Sequence, residues 1–320
     1  MALAIHLHEP QHVQPASSLR DDTLRGFAAT PKWASPKHFY DRRGSELFEQ
    51  ICRQPEYYPT RIEESILARF AGEIAELAGP GCSLIELGSG ASRKVRLLLE
   101  AARPARYLGI DISADFLRSS TLRLAADYPW LEVHAVCADY SQPMQVPQGF
   151  TEQRPLAFFP GSSIGNFTPQ QAGRFLHNLH GLLAPGAGLL VGVDLLKSNA
   201  ILDAAYNDAA GVTAAFNLNL LWRIRRELHS DIQPQRFSHR AFFNARESRV
   251  EMHLVSTQAQ SVQIEGRTFD FARGESLHTE NSYKYSIEGF QALAQSAGYR
   301  PVKVWTDPAA LFSVHYLQRH

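Results

Sequence analysis

The chain has 320 residues, of which 44% are hydrophobic and 20% charged, a composition typical of a soluble globular protein with one large or two moderate domains. Its 32 basic and 32 acidic residues cancel, which argues against a nucleic-acid-binding protein, because such proteins usually carry a basic excess. Three separated cysteines without metal spacing, no signal peptide and no apolar run of roughly 20 residues together predict a cytoplasmic protein without a membrane partner.

The first strong element along the chain is "CSLIELGSGASRKVRLLLEA", where an apolar run meets a Gly-Ser-Gly turn and a helical pattern follows. This order is typical of the nucleotide-binding half of an α/β sheet. The stretch lacks the P-loop sequence, and Arg93 stands where a dinucleotide fingerprint has its third small residue. Glu86 before the turn, with Gly88 and Gly90 in it, suits the compact nucleoside of S-adenosylmethionine. A strand–helix connection without a ligand stays open at this point.

Acidic residues end the next two predicted strands. The stretch "ARYLGIDIS" reaches Asp111, which is placed to accept hydrogen bonds from a ribose diol. The stretch "LEVHAVCADY" is predicted to end at Asp139 and Tyr140, where the acid could bind an adenine amino group and the ring could stack on the base. One such acid alone is usually a capping or turn residue, but several in order at the carboxyl edge of one parallel sheet predict a nucleoside pocket.

The remaining elements predict how the sheet is completed. "PLAFFPGSSIGNF" begins as a fourth strand and "AGLLVGVDLL" is a fifth, with helices predicted over 114–126 and 169–183. The chain closes with a helix and strands over 302–306 and 312–317, which form a hairpin and so run antiparallel. This ending predicts an α/β fold of the Class I S-adenosylmethionine-dependent methyltransferase type, a Rossmann-like sheet with a C-terminal antiparallel hairpin.

Two other regions have a different character. The segment after the fifth strand is helical at first and then alternates as β-hairpins do, with Met252 on its apolar face. The N-terminal region "FYDRRGSELFEQICRQPEYYPTR" is rich in aromatic and turn residues. We infer a second, α+β lobe built from both. The predicted boundaries are 60–195 and 286–320 for the methyltransferase domain, and 1–59 and 196–285 for the substrate-binding lobe.

Seven stretches are long, unusual and in a fixed order: "FYDRRGSELFEQI", "PEYYPTR", "ELGSGASRK", "GSSIGNFTP", "YNDAAGVTAAFN", "TENSYK" and "WTDPAALF". Together they resemble the L-histidine Nα-methyltransferase family of ergothioneine biosynthesis, over about residues 27–317. The resemblance implies S-adenosylmethionine as methyl donor, S-adenosylhomocysteine as its product, and three methylations of the histidine α-amine to give hercynine. It also implies that the N-terminal region and the insert together bind the amino acid.

The same resemblance implies a set of site residues. Those that would bind the cofactor are Gly88, Lys94, Asp111, Asp139 and Tyr140. Those that would hold the amino group and the carboxylate are Asn166, Tyr40 and Tyr206, with Asn166 and Tyr40 in the catalytic roles. Those that would surround the imidazole are Tyr57, Met252, Glu280 and Ser282, with Glu280 and Ser282 as its hydrogen-bond partners, and Asn281 is a further substrate-binding residue.

The chemistry of these side chains agrees with that reaction. The amide of Asn166 is both a donor and an acceptor, so it can orient an amine lone pair. Glu280 and Ser282 lie two residues apart on an extended segment and therefore share a face, where they can serve both imidazole nitrogens. Each residue also has a plain structural interpretation: Asn166 could end a turn, Met252 could be core and Glu280 could be a surface carboxylate.

Several alternatives remain beside this interpretation. One is a relative that methylates tryptophan or another amino acid, and another is a protein that binds S-adenosylmethionine without turnover. A NAD-dependent oxidoreductase is disfavoured by Arg93, and a nucleic-acid amino-methyltransferase by the absence of an N/D-P-P-Y motif after the fourth strand. The 13 histidines show no H-E-x-x-H motif and no Cys/His cluster, so no metal site is predicted. We expect a monomer whose partner is a small amino acid.

Overall fold

The computed structural model describes residues 5–8, 17–152 and 154–320 of the chain. The helices, in chain order, are α1 (Leu19–Phe27), α2 (Arg42–Ile51), α3 (Tyr58–Ala78), α4 (Val95–Ala102), α5 (Ala114–Asp127), α6 (Pro169–Leu182), α7 (Asn199–Ala205), α8 (Val212–Glu227) and α9 (Ile287–Ser296). The strands are β1 (Ile5–His8), β2 (Lys32–Trp33), β3 (Ser83–Leu87), β4 (Arg106–Asp111), β5 (Glu132–Cys137), β6 (Pro155–Phe159), β7 (Gly188–Asp194), β8 (Phe237–Asn244), β9 (Arg249–Ser256), β10 (Gln260–Ile264), β11 (Arg267–Phe271), β12 (Ser276–Tyr283), β13 (Tyr299–Thr306) and β14 (Phe312–Arg319).

The chain forms two compact units. The first contains β1, Pro59–Leu196 and Lys284–His320, and the second contains residues 17–58 and Lys197–Tyr283. The chain therefore leaves the first unit after β7 and returns to it just before α9. Among the described residues, no helix combines the length and the apolar character needed to cross a bilayer.

The first unit is built on one sheet with the strand order β1-β5-β4-β3-β6-β7-β14-β13. The strands from β1 to β7 in this order run parallel, and β14 runs antiparallel to both of its neighbours, β7 and β13. A parallel sheet closed by an antiparallel hairpin is the Class I methyltransferase architecture, so the predicted fold class is confirmed.

The central strands of this sheet are buried on both faces. Every residue of β3, β6 and β7 is buried. On one face, Leu87 and Ile110 pack with residues of α6 and α9, and on the other face Leu84 and Val133 pack with residues of α3, α4 and α5. Burial on two sides explains why these strands read as continuous apolar runs rather than as alternating patterns.

Helix α6 begins where the sequence predicts it, because a capping box fixes its start. The Thr168 side chain accepts a hydrogen bond from the Gln171 backbone N–H at 3.2 Å, and the Gln171 side chain accepts one from the Thr168 N–H at 2.9 Å. Pro169 occupies the first helical position, where a missing N–H costs nothing. The loop between β6 and α6 is thereby held at a defined length.

The chain leaves and re-enters the first unit through neighbouring residues. The Leu196 N–H donates to the Tyr285 carbonyl at 2.9 Å, and the Tyr285 N–H donates to the Asp194 carbonyl at 3.2 Å. The Lys284 ammonium lies 2.6 Å from an Asp194 carboxylate oxygen, and both side chains are only 1% exposed. We call this set of contacts, formed by residues 194–196 and 284–285, the exit clasp.

The second unit has α+β composition. Its sheet has the order β2-β12-β9-β8, and β10 pairs with β11 in a separate hairpin. Strand β9 is antiparallel to both β8 and β12, as the alternating sequence pattern predicts for a hairpin, and α8 lies against β8 and β9. A bulge at Thr279 shifts the register of β12 between His278 and Glu280. Which task each unit performs stays a prediction.

Two differences from the predicted elements bear on the site. Strand β5 ends at Cys137, earlier than predicted, because Asp139 turns the chain: its carboxylate accepts hydrogen bonds from the Ser141 N–H at 3.0 Å and the Ser141 hydroxyl at 2.5 Å. The sequence patterns do not predict strand β1. It pairs in parallel with β5 at the edge of the sheet.

Candidate active site

The glycine turn after β3 is shaped by backbone that only glycine adopts readily. Gly88 and Gly90 have φ values of +71° and +48°. The Gly88 N–H donates to the Ile110 carbonyl at 2.8 Å, which ties the turn to β4. A Cβ on Gly88 would lie 3.4 Å from the Tyr140 ring, so the absence of a side chain leaves space beneath that ring.

Asp111 joins the glycine turn from the end of β4. Its carboxylate accepts hydrogen bonds from the Gly90 N–H at 2.9 Å and from the Ser113 N–H at 3.0 Å. Burial raises the pKa of Asp111, and these backbone donors oppose the shift. A carboxylate has about four acceptor positions, so these backbone donors do not exhaust its capacity to accept from a ligand.

Tyr140 stands on the same sheet edge, just beyond β5. Its ring packs edge-on against Phe159, with centroids 5.4 Å apart, and against Phe175 at 6.2 Å. These edge-on contacts fix the Tyr140 ring in a position over Gly88, next to the glycine turn. Asp139 precedes it and keeps one carboxylate oxygen engaged with Ser141.

Lys94 is positioned by a buried glutamate that sequence analysis did not identify. Its ammonium lies 2.5 Å from Glu63 Oε2, and the Glu63 side chain is 0% exposed. Both carboxylate oxygens of Glu63 also accept from the Gly161 N–H, at 2.8 and 3.0 Å. A Cβ on Gly192 would come within 1.9 Å of Glu63 Oε1, so the glycine in β7 is what admits this carboxylate. Nothing in the local sequence of α3 separates Glu63 from a surface glutamate.

Glu86, the acid that favoured S-adenosylmethionine in the sequence, is engaged elsewhere. It is buried, and the Tyr107 hydroxyl donates to its carboxylate at 2.6 Å. Burial raises the pKa of Glu86 to about 8, against the hydrogen bond from Tyr107, which lowers it. Glu86 therefore belongs to the interior of the unit, and Asp111 is the carboxylate that meets the turn.

Asn166 follows β6 on the same edge. It ends a short 3₁₀ turn, Ser163–Asn166, and is half-buried. The loop before it is fixed by Ser162, whose hydroxyl oxygen accepts a hydrogen bond from the Asp194 N–H at 2.9 Å. Because β3, β4, β5 and β6 are parallel, the residues that follow them meet at one carboxyl edge. Gly88, Asp111 and Asn166 share that edge.

In the second unit, a chain of polar contacts joins residues far apart in sequence. The Tyr206 hydroxyl donates to Ser282 Oγ at 2.7 Å, in a buried position. The Tyr57 ring meets the Tyr206 ring edge-on, with centroids 6.3 Å apart. Burial raises the pKa of Tyr57 well above its usual value, with Tyr206, Cys52, Tyr40 and Glu280 adding to the effect. Tyr57 is therefore a neutral phenol at physiological pH.

Tyr40 belongs to the same aromatic group. Its ring lies edge-on to Phe48 at 5.7 Å and to Phe216 at 5.8 Å. Phe48 in turn contacts Tyr57 with a centroid distance of 6.4 Å. The next residue, Asp41, caps α2 by accepting from the Gly44 N–H at 2.7 Å, which fixes the backbone beside Tyr40.

The bulge in β12 sets which side chains face this group. Beyond it, Glu280 lies opposite Met252 and Ser282 lies opposite Val250, so these four share one face of the sheet. The bulge residue Thr279 is held by its hydroxyl, which donates toward Asn217 Oδ1 at 2.8 Å and lies 3.0 Å from the Met252 carbonyl. The sequence spacing of Glu280 and Ser282 predicts their shared face, but the bulge and Asn217 leave no sequence signal.

Asn281 is the predicted substrate residue that does not join this group. It alternates with its neighbours along β12 and lies opposite Glu251, on the other face of the sheet. Its side-chain oxygen is buried without a hydrogen-bond partner among the described residues. The Asn281 side chain therefore points away from the face that carries Glu280 and Ser282, and only the backbone of Asn281 can make contacts on that face.

The two sets of residues fit complementary ligands. On the first unit, a glycine turn, an acid at a strand end and an aromatic ring form a cradle that suits a nucleoside. On the second unit, Met252, Glu280 and Ser282 share one sheet face, and Tyr206 joins Ser282 to the aromatic group of Tyr57 and Tyr40. Polar groups beside aromatic rings suit a small polar ligand that has a ring of its own.

Comparison with known proteins agrees with these geometries. A family model described as "Histidine-specific methyltransferase, SAM-dependent" matches residues 19–319. The chain is 44% identical to a histidine N-alpha-methyltransferase of Mycolicibacterium smegmatis, covering 93% of this chain and 94% of the relative, and 41% identical to one of Mycobacterium tuberculosis with the same coverage. It is 24% identical to a 4-dimethylallyltryptophan N-methyltransferase of Claviceps purpurea over 96% of both chains. The chain belongs to the histidine-specific, S-adenosylmethionine-dependent methyltransferase family.

Proposed function

We propose that this chain transfers methyl groups from S-adenosylmethionine to the α-amine of L-histidine and gives hercynine, as a step of ergothioneine biosynthesis. Support comes from the family membership and from two mycobacterial relatives that bear the name of this activity. The observation that carries the proposal is the shared face of Glu280 and Ser282, with Tyr206 hydrogen-bonded to Ser282.

This arrangement matches a neutral imidazole, which has one N–H and one acceptor nitrogen. The Tyr206 hydroxyl donates to Ser282 Oγ, and we assign the Ser282 hydroxyl the role of donor to the acceptor nitrogen of the imidazole. The Glu280 carboxylate accepts the remaining ring N–H. Because the Tyr206 proton is used in this way, Tyr206 contacts the amino acid through its oxygen lone pairs, which suit an amine better than a carboxylate.

The cofactor is assigned to the carboxyl edge of the first unit. S-adenosylmethionine supplies an electrophilic methyl group when bound. Asp111 would hold the ribose hydroxyls, and the Gly88 turn would admit the nucleoside close to the backbone. Asp139 and Tyr140 would hold and stack on the adenine. Lys94, fixed and neutralised by Glu63, would present its ammonium at the same edge without adding net charge.

The amine must reach the methyl group as a free base with its lone pair directed at the carbon. Holding reactants in such a geometry supplies much of the rate of a transfer between two molecules. Asn166 can accept an amine N–H with its carbonyl oxygen and leave the lone pair free, and Tyr40 provides an aromatic wall that suits a cationic product. Tyr57 is a neutral phenol, so its role is to contact the ring rather than to remove a proton.

Tryptophan is the main rival substrate. Its indole has one N–H and no acceptor nitrogen, so it offers no counterpart to the second nitrogen of an imidazole. The expected monomeric state and cytoplasmic location are kept as parts of this proposal.

The decisive experiment is to incubate the protein with labelled S-adenosylmethionine and each of the twenty amino acids. We expect label in histidine well above every other amino acid, and a trimethylated product by mass spectrometry. Preferential labelling of tryptophan would replace histidine as the substrate, and binding without label in any amino acid would point to a non-catalytic protein.

Asn166→Ala should lower histidine methylation while S-adenosylhomocysteine affinity changes little. Loss of one orienting hydrogen bond with its partner left unpaired costs about 1–3 kcal/mol, which corresponds to roughly a 5- to 150-fold loss of kcat/KM. Steady-state kinetics and calorimetry measure the two effects. The matched control is Asn178→Ala, at an exposed position of α6. Near-native turnover in Asn166→Ala would assign this residue to the turn alone.

Glu280→Ala should reduce kcat/KM for histidine more than for tryptophan, because it removes the acceptor of the imidazole N–H and enlarges the space opposite Met252. Ser282→Ala should move the same ratio by less, since a neutral hydrogen bond is weaker than a charge-assisted one. Glu247→Ala, in the exposed turn between β8 and β9, is the control. An unchanged ratio in Glu280→Ala would mean that other residues recognise the imidazole.

A further inference from the structure

Strand β1 brings together histidines that are far apart in the sequence. It pairs in parallel with β5 so that His6 lies opposite His134 and His8 lies opposite Val136. Because alternate residues of a strand share a face, His6, His8, His134 and Glu132 all project from the same side of this two-strand edge. Val133 packs with the α5 side of the sheet, so the histidines occupy the opposite side, where the Phe150 ring meets His134 at a centroid distance of 4.9 Å.

The rings in this group are in contact with one another. His134 Nδ1 and His8 Nε2 are 2.8 Å apart, and His134 Nε2 lies 2.7 Å from a Glu132 carboxylate oxygen. The His6 ring stacks on His134 at 4.5 Å, and the His8 ring at 5.1 Å. Candidate ligand atoms of His6, Glu132 and His134 all lie within 4.8 Å of one another. His6 and Glu132 are exposed, so an ion can reach them from solvent.

This donor set is that of a transition-metal site. Two imidazoles and a carboxylate with an open fourth position are a known arrangement for Zn²⁺. A hydrogen-bond partner on the far nitrogen of a ligating histidine fixes its tautomer, and His8 Nε2 takes that place on His134 Nδ1. Zinc bonds of about 2.0–2.1 Å in a tetrahedral site separate two ligand atoms by about 3.3 Å. Replacing the proton shared by His134 and Glu132 therefore requires only a small opening of their contact.

We propose that His6, Glu132 and His134 bind a divalent transition-metal ion, with zinc as the first choice, and that His8 orients His134 toward it. This assignment departs from the absence of a metal site predicted from sequence motifs. Motif spacing cannot detect the site, because its ligands come from two strands that only the fold places side by side.

A second group, Glu251, His253 and His278, also has ligand atoms within 4.8 Å of one another. Its carboxylate is already committed: the Arg249 guanidinium lies 2.7 Å from one Glu251 oxygen, and His253 Nε2 lies 2.9 Å from the other. The positive charge of the Arg249 guanidinium, beside the Glu251 carboxylate, would repel a metal cation. The group on β1 and β5 is therefore the stronger candidate, and the second serves as an internal comparison.

The consequence of metal binding would be structural. Strand β1 has four residues and touches the sheet only along β5. An ion held by one residue of β1 and two of β5 would cross-link this edge strand to the unit. Ligands that come together only in the folded state couple metal affinity to folding, so zinc would stabilise the β1–β5 pairing.

The test uses untagged, chelator-treated full-length protein, with Zn²⁺ titrated against a chromophoric chelator. We expect one tight equivalent in the wild type, and an affinity at least about 10-fold lower in His6→Ala and in His8→Ala. His177→Ala, at an exposed position of α6, is the single-histidine control and should bind as the wild type does. Equal unfolding temperatures without zinc will show that the variants keep their fold.

Hydrogen exchange gives a second readout. Zinc should slow exchange of the amides at residues 5–8 and 132–137 in the wild type and leave them unchanged in the His6→Ala/His8→Ala double variant. Unaltered zinc affinity in the double variant would overturn the proposal. Loss of binding in His278→Gln with retention in the double variant would also overturn it, by placing the ion at the second group.

Discussion

Asp111→Ala is expected to weaken S-adenosylhomocysteine binding by roughly 10²- to 10⁴-fold. A carboxylate that accepts from both ribose hydroxyls makes two charge-assisted hydrogen bonds of about 1.5–3 kcal/mol each, and every 1.4 kcal/mol is tenfold in affinity. The substitution also releases the Gly90 and Ser113 N–H groups that the carboxylate holds, so the glycine turn keeps its backbone bonds to Ile110 but loses its side-chain connection to the end of β4. Isothermal calorimetry measures the loss directly.

Two further variants separate the ribose contact from a general effect on the loop. Asp111→Asn keeps an acceptor oxygen for the backbone and removes the charge, so it should bind with an intermediate affinity. Asp115→Ala removes an exposed carboxylate four residues along the chain and should bind as the wild type does. If Asp111→Ala binds S-adenosylhomocysteine with unchanged affinity, Asp111 has no ribose role.

Lys284→Met should reduce the free energy of unfolding by about 3–5 kcal/mol. The substitution keeps much of the side-chain volume but leaves the buried Asp194 carboxylate without its ammonium partner at 2.6 Å. The loss occurs at the exit clasp, where the same residues also carry the backbone hydrogen bonds between Asp194, Tyr285 and Leu196. Denaturant unfolding, followed by fluorescence and by circular dichroism, measures it.

The matching experiment is a double-mutant cycle with Asp194→Asn. Removing both charges leaves no uncompensated ion. The loss of unfolding free energy in the double variant should therefore be smaller than the sum of the losses in the two single variants, by at least about 1 kcal/mol. Additive losses would show that the two charges do not stabilise each other. Lys303→Met, whose side chain is half exposed on β13, should change stability little and serves as the control.

The features of the first unit that the sequence predicts are those with local signals. Apolar runs such as "SLIEL" and "GLLVGVD" identify β3 and β7 because both faces of these strands are buried, and the acid that ends β4 is visible because it follows such a run. The parallel arrangement then places Asp111 and Asn166 on one edge by geometry alone. Their functional roles stay predictions.

The features that the sequence does not predict depend on contacts between distant segments. Glu63 sits in a helix whose pattern is ordinary, and only the fold brings it to Lys94 and Gly161. Strand β1, with the sequence "IHLH", has two polar residues in four and no apolar run, so its pairing with β5 supplies the only evidence for it. The bulge at Thr279 likewise contains no glycine, so the sequence gives no signal for it.

The strand order of the first unit also has a consequence for synthesis of the chain. Strand β7 is buried at every residue, yet its neighbour β14 begins about 120 residues later, after the whole insert has been made. At ribosomal rates of about 5–20 residues per second, the nascent β7 edge waits roughly 6–24 s for that neighbour. During this interval an apolar strand edge is open to pairing with other nascent chains. The ribosome therefore makes this apolar strand edge well before it makes the segment that covers it, so we expect yield on overexpression to depend on chaperones that hold the emerging chain.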